Sequence, residues 1–304
     1  MQELKVNDLG RPYWLHSNFP QRLLWKFLLG IAAAAVLSYS GVCVYFFLKQ
    51  GAMIYKPTAE WAEVPSNVAL PFEPVTIDGV QVNGQSVSLS GWWIPARDNR
   101  APAVLYLHGN KGNISDCLGI AKTLHEAGAS VFVVDYAGYG KSSAFAISED
   151  SMRASGLAAF SYLKRKAPDA VARIVYGRSM GGGVAMLVAS EVGASIDGLI
   201  LESTFTSLPD EIRHLGYGWL PIGLLLRDRY PSLDTIGAIG IKHVLVIHGS
   251  ADDYVPVWMG ERLVHAARGN ATSIIVPGAG HNNVAVVGGT GLAQAIQTFL
   301  ASTR

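Results

Sequence analysis

"RIVYGRSMGGGVAM", Arg173–Met186, sets one serine between two glycines, behind a run of strand-forming residues and ahead of small helix formers. The chain holds 33 Gly in 304 residues, so the frame Gly177-Arg178-Ser179-Met180-Gly181 arises easily by chance. Its weight comes from the setting. A strand that runs straight into a helix turns so tightly that side chains two positions either side of the serine would collide. Glycine at 177 and 181 removes that collision. The helix opening at Met180 also points its positive end toward charge developing at the serine oxygen. In this setting Ser179 reads as a nucleophile rather than a hydroxyl in a glycine-rich turn.

Outward from that turn, strands and helices alternate. "AVLYLHG" (Ala103–Gly109), "SVFVVDYAGYG" (Ser130–Gly140), "RIVYG" (Arg173–Gly177), "GLILEST" (Gly198–Thr204), "HVLVIHG" (His243–Gly249) and "SIIVPG" (Ser273–Gly278) are short apolar runs. Between them lie helical stretches near Ile114–Ala127, Ser148–Lys166, from Met180, near Val257–Arg268 and near Gly289–Ala301. "EPVTI" (Glu73–Ile77) and "VSLSGWWIP" (Val87–Pro95), flanking the turn dipeptides Asp78-Gly79 and Asn83-Gly84, lead in as a β-hairpin. Continuous apolar strands separated by helices mean an α/β fold whose parallel sheet is buried on both faces. Ligands then sit at the carboxyl ends of the strands, where Ser179 lies.

A serine hydroxyl needs a base, and the base needs an orienting acid. Of the eight histidines, His281 in "PGAGHNN" follows the last strand on a loop that can reach the sheet's catalytic edge. His16 precedes an apolar span. His125, His214 and His265 fall in helical or cap stretches and read as solvated. His108 and His248, both in "HG" at strand ends, read as structural hydrogen-bonding groups. For the acid, "HGSADDYVP" offers Asp252 and Asp253 after the penultimate strand, and Asp252 is the choice. Glu202 on the neighbouring strand stays open as the rival. The oxyanion would be held by backbone N–H groups of Met180, next after the nucleophile, and of Asn110 in "YLHGNKGN". That glycine loop lacks the G-K-[ST] ending of a phosphate-gripping loop.

Composition narrows the partners. Net charge is +1 with no Lys/Arg stripe, which gives no electrostatic case for nucleic acid. The two cysteines, Cys43 and Cys117, form no metal-type spacing and no disulfide framework. No cofactor and no metal is expected. The positive mean hydropathy has a local source in "FLLGIAAAAVLSYSGVCVYFFL", Phe27–Leu48, which carries no charge. As a helix these residues reach about 33 Å, enough to cross a hydrocarbon core of about 30 Å. The stretch is too long for a signal-peptide core and has no cleavage box after it. Lys5, Arg11, Arg22 and Lys26 precede it, while Lys49 and Lys56 follow, which places the N-terminus in the cytoplasm and the rest on the opposite side. The expected organisation is a tail at 1–26, a transmembrane helix at 27–48, a linker at 49–70 and a catalytic domain at 71–304, with a short cap at 205–240.

From Ala103 to the C-terminus the chain resembles the α/β-hydrolase family. The motifs that carry the resemblance are "HGNKGN", "DYAGYGKSS", "GRSMGG", "ESTFTS", "HGSADDYVP" and "GAGHNN", in that order. It is most similar to the membrane-anchored branch related to prolyl oligopeptidases and protein depalmitoylating thioesterases. The resemblance implies a mostly parallel sheet of about eight strands flanked by helices, and the serine–acid–histidine order met here as Ser179, Asp252 and His281. One position departs, because the family usually has arginine where Ala137 stands. The cap, "TFTSLPDEIRHLGYGWLPIGLLLRDRYPSLDTIG", is apolar around Trp219–Leu226. It suits an acyl chain, or it packs on the sheet and only shapes the rim. The expected activity is hydrolysis of carboxylic esters or thioesters of small acyl groups, those of lipidated substrates included. A peptidase, a lipase and a non-catalytic membrane-tethered scaffold remain as alternatives. Nothing in the sequence states an oligomeric state.

Overall fold

The apolar runs become the strands of one eight-stranded sheet in the computed structural model, which describes residues 21–303. Lys5, Arg11 and His16, with most of the expected tail, lie outside the described residues. In chain order the strands are β1 (Glu73–Val82), β2 (Gln85–Ile94), β3 (Ala103–Leu107), β4 (Ser130–Val134), β5 (Arg173–Arg178), β6 (Gly198–Glu202), β7 (Val244–Gly249) and β8 (Ala271–Val276). Their spatial order is β8-β7-β6-β5-β3-β4-β2-β1. Strands β3 to β8 pair in parallel, and the β1–β2 hairpin joins β4 antiparallel.

Every residue of β3, β4, β6 and β7 is buried. Such strands read as unbroken apolar runs because helices cover both faces. On one face α2 (Leu118–Glu126) meets α9 (Val284–Ser302) over Val104, Tyr106, Ile174, Tyr176 and Ile200. On the other, α3 (Glu149–Lys166), α4 (Met180–Val192) and α8 (Val257–Ala266) form the second layer. Helix α9 is long and apolar enough to cross a membrane, but Leu292, Ile296, Phe299 and Leu300 belong to this core. The chain reverses direction about β3, from β4 on one side to β5 on the other. That reversal opens a crevice at the carboxyl ends of β3 and β5.

Three local differences from the sequence reading stand out. The first strand does not end at Asp78-Gly79. It runs to Val82 through a register shift between Ile77 and Val80, which Gly79 permits by adopting φ 75°. The last helix begins earlier than read, at Val284, with a kink at Gly289. The apolar helix is longer than its uncharged stretch: α1 runs from Gln21 to Ile54, so the first residues of the expected linker are helical. The remainder of 49–70 is folded, with Tyr55 and Leu70 buried and Trp61 stacked edge-on against Trp92 at 4.8 Å. The chain divides into two units at this helix, one ending at Lys49 and one beginning at Gln50.

The cap segment contains three short α-helices, α5 (Leu208–Ile212), α6 (Ile222–Leu225) and α7 (Ser232–Ile236), with a π-helical turn at Arg213–Tyr217 following α5. Within it Leu220, Ile222 and Leu226 are buried, while Leu224 is 85% exposed.

Candidate functional site

Ser179 sits between β5 and α4 with φ 53° and ψ −123°, a conformation that L residues avoid and that costs about 1–3 kcal/mol. The surroundings enforce it. Its N–H donates to the Glu202 carbonyl at 2.8 Å, and its own carbonyl accepts from Gly182 N–H at 2.9 Å and from Thr204 Oγ1 at 2.8 Å. A Cβ at Gly177 would lie 2.3 Å from the Gly181 carbonyl oxygen, and one at Gly181 would lie 2.0 Å from that of Leu107. Both glycines are therefore required by backbone contact, as the tight turn demands.

The structure brings Ser179, His281 and Asp252 into one line. His281 Nε2 is 3.0 Å from Ser179 Oγ, and His281 Nδ1 is 2.9 Å from Asp252 Oδ2. A carboxylate only accepts, so Nδ1 carries the proton and Nε2 is left to accept from the serine hydroxyl. The side chain of Asp252 is fully buried, and its Oδ1 accepts from the N–H groups of Tyr254 at 3.1 Å and Val255 at 2.9 Å. Burial alone would raise the Asp252 pKa. The hydrogen bond and charge of His281, with the Val255 N–H, outweigh it and hold the carboxyl below its usual range.

Glu202, the other carboxylate open from the sequence, is committed elsewhere. It accepts from the Tyr176 hydroxyl, and its Oε1 lies 3.3 Å from Arg178 Nε. His248 also approaches Asp252, at 3.6 Å, but its Nε2 donates to the Val255 carbonyl at 2.7 Å. Burial lowers its pKa, which keeps it a neutral structural group. His108 is likewise buried and pushed down to about 4.

Of the two expected oxyanion donors, Met180 opens α4, where first-turn N–H groups have no partner within the helix. Asn110 follows Gly109, at which a Cβ would lie 3.6 Å from that of Ser179, so the loop after β3 passes directly beside the serine. The Asn110 carbonyl accepts from Lys56 N–H and from the Tyr139 hydroxyl, each at 2.9 Å.

Two contributors were not singled out from the sequence. Arg178 Nη2 donates to the His281 carbonyl and to Asn282 Oδ1, both at 2.9 Å, and so fixes the histidine loop. Its only signal was its place as the second residue of the glycine–serine frame. Tyr254 lies against the His281 ring at 5.6 Å between centroids. Ala137, where the family usually carries arginine, is fully buried, and its N–H donates to Ser155 Oγ at 3.2 Å.

Comparison with known proteins gives matches along most of the chain. Residues 98–236 match a family model described as serine aminopeptidase S33, and residues 227–304 match one described as TAP-like protein. An uncharacterized protein of Mycobacterium tuberculosis is 37% identical over 277 residues, covering 90% of this chain and 95% of its own. A protein of Saccharomyces cerevisiae described as an uncharacterized membrane protein is 27% identical over 279 residues, covering 88% of this chain and 95% of its own. Among solved structures, an esterase of Pyrococcus furiosus superposes with a TM-score of 0.68 at 22% identity, covering 82% of this chain and 97% of that one. That last likeness is one of fold.

Proposed function

The chain belongs to the α/β-hydrolase family, and on that footing we propose that it is a membrane-anchored serine hydrolase cleaving carboxylic ester or thioester bonds. The observation that carries this reading is the unbroken hydrogen-bonded line from Ser179 Oγ through His281 to the buried Asp252, set on a strained serine. In the proposed reaction His281 Nε2 takes the Ser179 proton as the oxygen attacks the acyl carbon. The negative charge moves to the former carbonyl oxygen, where the N–H groups of Met180 and Asn110 receive it. His281 returns the proton to the departing alkoxide or thiolate, leaving an acyl-serine. Water then repeats the sequence and frees the acid. Asp252 keeps the imidazole in the correct tautomer and stabilises its charged form throughout.

The anchor in this reading is α1. Its most apolar 18-residue window has mean hydropathy 2.1, with none of that window buried. The S. cerevisiae relative described as a membrane protein supports the same reading. Flanking bases orient the N-terminus to the cytoplasm and the catalytic domain to the other side. The short cap favours modest acyl groups, including acyl chains presented by lipidated partners at the membrane. Cleavage of amides is the second reading, favoured by the serine aminopeptidase description of the matching family model.

Fluorophosphonate labelling of the full chain tests the chemistry. Wild type is expected to label and Ser179→Ala to fold without labelling; persistent labelling of the variant would remove Ser179 from its role. Matched ester, thioester and amide substrates with graded acyl length separate the two readings. Resistance to alkaline carbonate extraction, with a single cysteine at either flank probed by an impermeant reagent, tests anchor and orientation.

A further inference from the structure

The chain that leaves the apolar helix is bonded to both sides of the candidate site. On one side it runs beside the loop after β3. The Ile54 carbonyl accepts from Asn110 Nδ2 at 2.7 Å, and Lys56 N–H donates back to the Asn110 carbonyl at 2.9 Å. Lys56 and Pro57 then pair in parallel with Lys111 and Gly112, and Thr58 N–H donates to the Gly112 carbonyl at 3.1 Å. Asn113 Nδ2 closes this edge at 2.8 Å on Thr58 Oγ1.

On the other side the same segment holds the cap. Gln50 Nε2 donates to the Leu225 carbonyl at 3.0 Å, and Gln50 Oε1 accepts from Arg227 N–H at 2.9 Å. The Tyr55 hydroxyl donates to Asp228 Oδ2 at 2.7 Å. The Tyr55 and Tyr230 hydroxyls lie 3.0 Å apart, beside that contact. Asp228 Oδ1 in turn accepts the N–H of Glu149 at 3.1 Å, at the start of α3.

We propose that Gln50–Thr58 is a positioning segment of the hydrolase site, which fixes the backbone of Asn110 and couples it to the cap, through the Asn110 side chain held by the segment and the Tyr55 side chain the segment supplies. The inference rests on the serine hydrolase reading, in which the Asn110 N–H is an oxyanion donor. Such a donor contributes only if it already points at the place the oxygen will occupy. The loop that carries it has glycine at 109 and 112, the latter with φ 79°, and so has little stiffness of its own. Anchoring the side chain and the carbonyl of residue 110 to Ile54 and Lys56 supplies that stiffness. A displacement of the cap then acts on Tyr55, one residue from both of those contacts. The segment that joins anchor to domain thereby becomes part of the catalytic wall, and binding under the cap reaches the oxyanion loop through it.

The test uses the full chain in detergent or nanodiscs, a chromogenic ester, and active sites counted by fluorophosphonate titration. Asn110→Ala keeps the backbone N–H and loses only the tie to Ile54. It is expected to lower kcat per titrated site by about tenfold or more, with KM changed less than about twofold, since small misplacements of a catalytic group are costly. Tyr55→Phe keeps the buried ring and is expected to lower kcat in the same direction. Because both act on one element, the double variant is expected to lose little more than Asn110→Ala alone. Unchanged kcat per site in both variants, or losses that multiply in the double variant, would overturn the proposal. If Asn110→Ala fails to fold, Tyr55→Phe decides by the same kcat criterion. Wild-type labelling in the same experiment separates the two levels: with labelling intact and kcat unchanged only the tie is wrong, and without wild-type labelling both readings fall.

Discussion

Replacing Asp252 by asparagine should disable the proposed base while leaving its frame in place. Oδ1 of Asp252 accepts two backbone N–H groups, from Tyr254 and Val255. In Asp252→Asn the amide oxygen must take that position, because an NH2 there would face two donors. The NH2 is then forced into the place of Oδ2, 2.9 Å from His281 Nδ1. It donates to Nδ1, the ring proton moves to Nε2, and an N–H faces the serine oxygen 3.0 Å away. The imidazole can no longer accept the serine proton. His248 cannot substitute, since its Nε2 proton is given to the Val255 carbonyl. By analogy with serine proteases the expected loss is about ten-thousandfold in kcat, roughly 5.5 kcal/mol of transition-state stabilisation. Glu202→Gln weakens the side-chain contacts to Tyr176 and Arg178 behind the His281 loop, neither of them with Ser179 or His281, and is expected to cost less than about tenfold on the same scale. Steady-state kinetics on one soluble ester, with active protein counted by circular dichroism and thermal melting, reads both. An Asp252→Asn enzyme within tenfold of wild type, or a larger loss for Glu202→Gln, would refute the assignment of the acid.

Gly181→Ala drives a methyl into the carbonyl oxygens of Leu107 and His108, at 2.0 and 2.6 Å, and backbone cannot step aside. It is expected to destabilise by at least the upper end of the usual overpacking range of about 1–3 kcal/mol and to abolish labelling. Gly119→Ala, where nothing lies within 4 Å, is expected to be neutral or stabilising in α2; wild-type melting and labelling of Gly181→Ala would contradict the tight-turn argument. Glu211, on α5, is buried, and its Oε2 has no hydrogen-bond partner among the described residues. Burial first, and the charge of Asp252 second, push its pKa from 4.5 up to about 8. Between those values the folded state keeps a proton that the unfolded chain has released, so this group lowers stability as pH rises through that window and levels off above it. Glu211→Gln is expected to match wild type in thermal melting near about pH 5 and exceed it near about pH 9. Parallel melting curves across that range would contradict the buried, protonated carboxyl.

The sheet was legible because its strands are buried on both faces, which leaves five- and six-residue apolar runs that no other element produces as cleanly. The line of Ser179, Asp252 and His281 was legible as an order of motifs, and the structure supplies the distances. Asp252 was chosen from the motif order, but setting aside its rival Glu202 needed the third dimension. Tyr176 and Arg178 lie on the strand beside β6, with Arg178 in direct register with Glu202, and between them they occupy its carboxylate. The segment 49–70 misled for a similar reason. Its prolines and polar residues have the composition of a linker, yet Gln50 and Tyr55 bond to Leu225 and Asp228, more than 170 residues along the chain. Partners so far away leave no local pattern. Asp78-Gly79 signalled a turn, and the structure used the same glycine freedom for a bulge within a continuing strand.

The most direct measurement is an intact mass spectrum of the full chain, acid-quenched within the first turnovers on a slow ester and then digested. The serine hydrolase reading requires a mass increase equal to the acyl group on the peptide containing Ser179, absent from Ser179→Ala. Ester turnover with no adduct at any quench time, or an adduct confined to another residue, would contradict it.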